Sequence, residues 1–144
     1  MVIVGYLLLG IVLCLPLIYY AHRRPKTARV VFAIGLIVAA AIYVLFAAMA
    51  NRGAWIGVEL FGVVAYGAFA LLGLRSSMWW LVLGWATHPI WDIAIHHAGA
   101  GAEFTPDWYA WACVSFDAIV AAYIAHRIVH ARDQWPALRA TTTG

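Results

Sequence analysis

Charged residues are scarce in this chain. Asp, Glu, Lys and Arg together make up 10% of its 144 residues, whereas 66% are hydrophobic and the mean hydropathy is +0.89. A soluble domain has about 25% charged residues, and a disordered chain combines low hydrophobicity with high net charge. The composition therefore excludes both classes and predicts an integral membrane protein.

Cysteine is scarce as well. The two cysteines, Cys14 and Cys113, lie inside apolar runs, where a thiol usually behaves as a small buried hydrophobe. A disulfide between them is an open alternative. No nucleic-acid partner is expected from the net charge of +3, because Lys and Arg fall at the ends of the apolar runs. The pattern indicates membrane topology rather than a binding patch.

Long apolar runs divide the chain into five predicted transmembrane helices, since a helix needs about 20 apolar residues to cross a bilayer. Their continuity is typical of helices rather than of strands, which would alternate. The expected spans are residues 2–21, 30–50, 54–74, 77–97 and 107–126. We therefore expect an all-α bundle that forms a single transmembrane domain, with a short cytoplasmic tail over residues 127–144.

Lys and Arg predict the orientation of this bundle. Eight of the nine follow the first, third and fifth spans, and only Arg52 follows the second. Since cytoplasmic loops are rich in Lys and Arg, we expect the N-terminus outside and the C-terminus inside a plasma (inner) membrane. Trp55, Trp108 and Trp111 would then lie near the outer interface. The aromatic residues expected near the inner interface are Tyr19, Tyr20, Trp79, Trp80 and Trp135.

The residues that indicate function are the ionisable ones inside the spans. They are Glu59, His88, Asp92, His96, His97 and Asp117. A central Asp costs roughly 2.5–3.5 kcal/mol on insertion scales, so such residues are functional candidates by default. His88, Asp92 and His96 are four residues apart and share one helix face. At about 1.5 Å per residue, His88 is expected at the depth of Asp117, and Glu59 at the depth of Asp92.

Charge balance leaves three alternatives for this group, because no Lys or Arg lies between the helix ends. The acids are protonated and bonded to histidines, or form an acid/base set with them, or bind a metal ion. Zn or Fe would suit His88, Asp92 and His96 as ligands. Pro89 predicts a kink beside His88 that could open a cavity, because proline lacks a backbone N–H.

A second pair, His126 and His130, lies four residues apart near the inner end of the last span, on the side of the membrane expected for His22. Cations suit a helix C-terminus, so a structural role is the simpler interpretation. A metal site on the inner side is the alternative.

The stretch GWATHPIWD over residues 84–92, followed by His96-His97 and by PDWY over residues 106–109, resembles a family of small bacterial membrane proteins of unknown function. The resemblance extends over most of the chain and implies no activity. In architecture, five helices with histidine, acidic and tryptophan residues around an intramembrane cavity also resemble the emopamil-binding sterol isomerase group. That likeness implies a lipid protonated and deprotonated inside the bilayer.

These features favour an intramembrane enzyme, either an acid/base isomerase or cyclase or a metal-dependent hydrolase. Asp92 or Asp117 would act as the general acid, with His88 as base or ion-pair partner, because an apolar pocket changes the protonation of its acids. Glu59 completes the set of candidate catalytic residues.

The expected substrate is a lipid or isoprenoid-like molecule taken from among the membrane lipids. Trp85 and Trp91 would border its pocket and stabilise a cationic intermediate through their ring faces. The alternative is a non-enzyme: a proton- or metal-handling element, a homo-oligomer, or a small subunit of a larger membrane complex.

Overall fold

Helices account for almost all of residues 1–130, the part of the chain that the computed structural model describes; these residues contain no strand. The five α-helices are α1 (Val2–Arg23), α2 (Pro25–Met49), α3 (Gly53–Arg75), α4 (Trp79–Trp91) and α5 (Asp107–His130). A π-helical turn, Asp92–His97, continues α4, and a 3-10 turn, Ala100–Glu103, leads toward α5.

Four helices, α1, α2, α3 and α5, are each long and apolar enough to cross a membrane. The chain therefore has the helices of a multi-pass membrane protein, as its composition predicts. The expected fourth span, residues 77–97, is divided: α4 has 13 residues, and the π turn adds six more.

Two helix boundaries differ from expectation. Helix α2 begins at Pro25 instead of residue 30, because proline is favoured in the first helical turn. Helix α5 continues to His130, so the first residues of the expected tail are helical. The apolar runs could not indicate these ends, since a helix can extend beyond its apolar part. Arg132, Trp135 and Arg139 lie outside the described residues.

Helices α1 and α5 run parallel and in close contact. The Ser115 hydroxyl donates to the Leu7 carbonyl at 2.7 Å, and at the other end the Tyr123 hydroxyl lies 3.5 Å from His22 Nδ1. Gly10 permits this approach, because a Cβ there would collide with the carbonyl oxygen of Ala112. Parallel first and last helices agree with an alternating up-and-down bundle.

Helix α4 and its π turn run alongside α2. Trp85 Nε1 donates to the Phe32 carbonyl at 3.2 Å, and the Tyr43 ring stacks on the His96 ring with centroids 3.7 Å apart. Eleven residues separate the two contacts on each element. The divided segment therefore traverses the bundle beside α2 and carries its polar residues into the interior.

Candidate functional site

Three fully buried side chains form the centre of the site. His88 is on α4, Asp92 begins the π turn, and Asp117 is on α5. His88 Nδ1 lies 2.9 Å from Asp117 Oδ2 and 3.2 Å from Asp92 Oδ1. One imidazole nitrogen is therefore shared between two carboxyl groups. We call these three residues the Asp-His-Asp triad.

Local helix geometry produces the triad. His88 and Asp92 are four residues apart and face the same side, as their spacing predicts. Asp117 meets them from α5 at the depth that residue counting gives. Pro89 cannot donate a backbone hydrogen bond, and the α-helix ends two residues later at Trp91.

The triad holds more acid than base. His88 is the basic partner in both of its close contacts with acids among the described residues, so one imidazole faces two carboxyl groups. Asp117 Oδ1 and His88 Nε2 have no hydrogen-bond partner among residues 1–130. Each triad member also offers one ligand atom within 4.8 Å of the others, so the group could hold a metal ion.

A second buried pair lies nearer the Asn51 end of α3. Glu59 Oε2 on α3 is 3.3 Å from His96 Nε2 on the π turn. Thr105 Oγ1 lies 3.2 Å from His96 Nδ1, and the Tyr43 ring covers the imidazole at an interplanar angle of 6°. His96 is therefore enclosed on several sides, and we call Glu59 and His96 the Glu–His pair.

Metal binding by His88, Asp92 and His96 stays a prediction, but the buried group whose ligand atoms lie together contains Asp117 in place of His96. Glu59 likewise lies with His96 rather than Asp92. The cause is the π turn: the Ala98 N–H donates to the Ile93 carbonyl, five residues back. Since such a turn holds more residues than an α-helical turn, His96 is rotated away from the face of His88.

An apolar crevice of about 280 Å³ adjoins the triad. Its walls come from α1, α2, α4 and α5, and its lining includes Asp117. The other lining residues are Gly10, Leu13, Leu17, Gly35, Val38, Ala39, Ile42, Trp85, Trp108, Tyr109, Ala112, Cys113 and Phe116. Asp117 therefore belongs both to the triad and to the residues that line the crevice.

Comparison with known protein families identifies the family of this chain. The model of a family of unknown function, DUF6010, matches residues 1–131. The chain belongs to the DUF6010 family. Membership assigns no activity, and it gives no support to the likeness to the sterol isomerase group. No curated protein and no solved structure matches this DUF6010 chain.

The two candidate tryptophans of the DUF6010 chain lie in different places. Trp85 lines the crevice. Trp91 packs against α3, where a Cβ at Gly62 would lie 3.1 Å from its ring and where its centroid is 6.5 Å from that of Phe61. Trp91 is absent from the crevice lining, because the helix turns its side chain toward α3.

The remaining histidines lie apart from both buried groups of the DUF6010 chain. His97 is partly exposed, with Nδ1 3.4 Å from Asp107 Oδ1. His130 Nδ1 donates to the His126 carbonyl at 3.1 Å, and their rings stack with centroids 4.4 Å apart. Within residues 1–130, His22, His126 and His130 form no three-ligand group of the kind that the triad makes.

Sequence reasoning missed Tyr43 and Thr105 as parts of the site. Tyr43 is fully buried, and its signal in the sequence is a hydroxyl group within the apolar run over residues 30–49. Thr105 gives none, because a threonine in a loop is ordinary until the fold brings it to His96. Both cysteines are free and buried, so the alternative of a disulfide is not realised.

Proposed function

We propose that this protein is a membrane-embedded enzyme that performs acid/base chemistry on a lipid-like molecule held in the crevice. The observation that carries the proposal is the double position of Asp117. Its Oδ2 lies 2.9 Å from His88 Nδ1, while the residue also lines an apolar crevice of about 280 Å³. Most pockets for small molecules are apolar with a few placed polar groups.

Asp117 is the catalytic residue in this proposal. In its protonated form it donates to a carbon of the substrate, and the resulting carboxylate is stabilised by the charge-assisted hydrogen bond from protonated His88. Asp92 accepts from the same nitrogen and orients the imidazole, so His88 and Asp92 are positioning residues. Trp85 lines the crevice and would stabilise a cationic intermediate through the face of its ring.

The proposed arrangement has five membrane crossings, with the N-terminus outside the plasma membrane and the C-terminus inside. The parallel course of α1 and α5 and the passage of α4 with its π turn alongside α2 support five crossings. The distribution of Lys and Arg supports the orientation. A reporter enzyme that is active only in the cytoplasm, fused after Gly144, is expected to be active; an inactive, correctly inserted fusion would reverse the orientation.

The experiment that tests the enzyme uses solvent deuterium. The purified chain is incubated in D₂O buffer with a membrane lipid extract, and lipid masses are measured. We expect deuterium to enter one lipid class, and the Asp117→Asn variant to be slower by at least about 100-fold, because general acid–base groups contribute about 10²–10⁴-fold.

The matched control is Asp107→Asn, which makes the same change at an exposed position of the same helix. It is expected to retain wild-type exchange. If the folded wild-type chain transfers no deuterium, or if Asp117→Asn exchanges as fast as wild type, the enzymatic proposal is wrong.

A metal-dependent hydrolase is the second candidate, and the observation in its favour is the set of ligand atoms within 4.8 Å in the triad. One imidazole with two carboxylates suits Zn²⁺ or Fe²⁺ and leaves a coordination position open. Metal analysis of the purified chain separates the two candidates. One Zn or Fe per chain that is lost in both His88→Ala and Asp92→Ala favours the hydrolase.

A non-enzymatic role, as a proton-handling element or a subunit of a membrane complex, is the remaining alternative. The observation in its favour is the exposure of α1, because only 11% of its most apolar 18-residue stretch is buried. Such a surface contacts lipid or a neighbouring subunit. A chain without deuterium exchange that purifies with a stoichiometric partner would establish this role instead.

A further inference from the structure

The lining of the crevice includes residues at two levels of α5, and we call the level of Trp108 its shallow end and the level of Asp117 its deep end. Trp108 and Tyr109 lie at the start of α5, and Asp117 lies deep inside the same helix. Nine residues separate Trp108 from Asp117, which corresponds to about 14 Å along the helix axis. The carboxyl group of Asp117 is therefore reached only by a part of the ligand well inside the membrane.

Amphipathic aromatic rings occupy the shallow end. Trp108 is 41% exposed and lies at the first turn of α5. Tryptophan and tyrosine are enriched where the hydrocarbon meets the headgroups, because one part of each ring system is apolar and one part is polar. The polar end of a lipid is expected at this position.

The walls between the two ends are apolar. Leu13 and Leu17 of α1 and Val38 and Ile42 of α2 are among the apolar residues that line the crevice. All of these side chains belong to helices that can cross a membrane. A ligand would therefore enter the space between them from the hydrocarbon of the bilayer. Its volume of about 280 Å³ is just below the range of roughly 300–1,000 Å³ for small-molecule pockets, which suits one chain rather than two.

We propose that the substrate is a single-chain, unsaturated lipid whose polar end lies at Trp108 and Tyr109 and whose reacting double bond lies within the chain, at Asp117. This inference rests on the proposed function and names its substrate class. It excludes chemistry on a headgroup ester or phosphate, since those groups would lie about 14 Å from the carboxyl group.

The corresponding step is balanced without any other reactant. The Asp117 carboxyl group transfers its proton to one carbon of the double bond, and the other carbon becomes cationic. The Asp117 carboxylate then removes a proton from the carbon next to the cation, so the double bond is shifted by one position and the acid is regenerated. Nothing is oxidised or reduced, and the atom assigned to the proton transfer is Asp117 Oδ1, which has no hydrogen-bond partner among residues 1–130.

The experiment maps the depth of the chain by photocrosslinking. Three monoacylglycerol probes carry a diazirine next to the headgroup, in the middle of the chain or at the methyl end, and each is irradiated with the full-length protein in detergent. The mid-chain or methyl-end probe is expected to label Asp117, and the headgroup-proximal probe to label Trp108 or Tyr109. Labelling of Asp117 by the headgroup-proximal probe overturns the inference.

Two tryptophan substitutions control for non-specific labelling. Val38→Trp fills the crevice, whereas Val64→Trp makes the same change on an exposed face of α3 that is not part of the crevice lining. Labelling is expected to fall at least tenfold in the first variant and to remain in the second. Equal labelling in both would show that the probes do not occupy the crevice.

Failure of this inference is distinguishable from failure of the proposed function. If deuterium exchange depends on Asp117 but no probe labels the crevice, or the labelled order is reversed, the substrate orientation is wrong and the enzyme stands. If the probes label as expected but no lipid takes up deuterium, the crevice binds lipid without the proposed chemistry.

Discussion

The Asp-His-Asp triad and the Glu–His pair are both buried, yet they differ in balance and surroundings. The triad sets two carboxyl groups against one imidazole and borders the crevice through Asp117. The Glu–His pair has one acid and one base, and Thr105 and the Tyr43 ring enclose its imidazole. A surplus of acid beside a cavity suits chemistry, whereas a balanced and enclosed pair suits the packing of helices.

The largest expected effect is on the Glu–His pair. Either Glu59→Leu or His96→Leu leaves one buried polar partner alone, so we expect each to lower the free energy of unfolding by about 3–5 kcal/mol. The double variant is expected to be more stable than either single one, because apolar replacements of a buried pair are often tolerated. Thermal unfolding in detergent measures this. A double variant as unstable as the sum of the singles would contradict a purely structural pair.

The corresponding single and double variants at the triad separate an effect on stability from an effect on chemistry. A His88→Leu/Asp117→Leu double variant is expected to regain stability relative to His88→Leu alone, yet to have lost deuterium exchange. Exchange that survives in this variant would place the chemistry elsewhere.

A smaller effect is expected at Thr105. Thr105→Val removes the hydroxyl group next to His96 Nδ1 while keeping the shape of the side chain, so the loss is about 0.5–1.5 kcal/mol of stability. Deuterium exchange should remain at the wild-type rate. A large loss of deuterium exchange with little change in unfolding temperature would instead indicate that the Glu–His pair takes part in catalysis.

The smallest effect is expected at an exposed ion pair. Arg52 Nη2 and Glu103 Oε2 are 2.8 Å apart, but their side chains are 49% and 58% exposed. Since solvent screens such pairs, Arg52→Gln should lower stability by about 0.2–1 kcal/mol and lose even this effect in high salt. A loss of stability as large as that of His96→Leu would mean that the Arg52–Glu103 ion pair contributes to the stability of the bundle as much as a buried pair does.

The sequence predicts the candidate residues better than their partners. The spacing of His88 and Asp92 and the depth of Asp117 correctly indicate which helix faces meet, because a regular helix converts sequence distance into position. The spacing did not indicate that His96 lies against Glu59, since the π turn from Asp92 to His97 departs from the regular α-helical geometry on which the prediction depends. Trp91 shows the same limit: its neighbour Asp92 reaches the triad while its own ring packs against α3.

By itself, the sequence determined that this is a helical membrane protein with costly ionisable residues inside its apolar segments. Those conclusions depend on composition and on the local desolvation of single residues, which no distant contact changes. Only the tertiary structure decided that Asp117 lies against His88 and Asp92, and that Glu59 lies against His96. It also decided that the lining of the crevice includes Asp117 and not Asp92. These depend on how helices far apart in the chain pack together, and a change in one helical turn is enough to redirect a side chain to another partner.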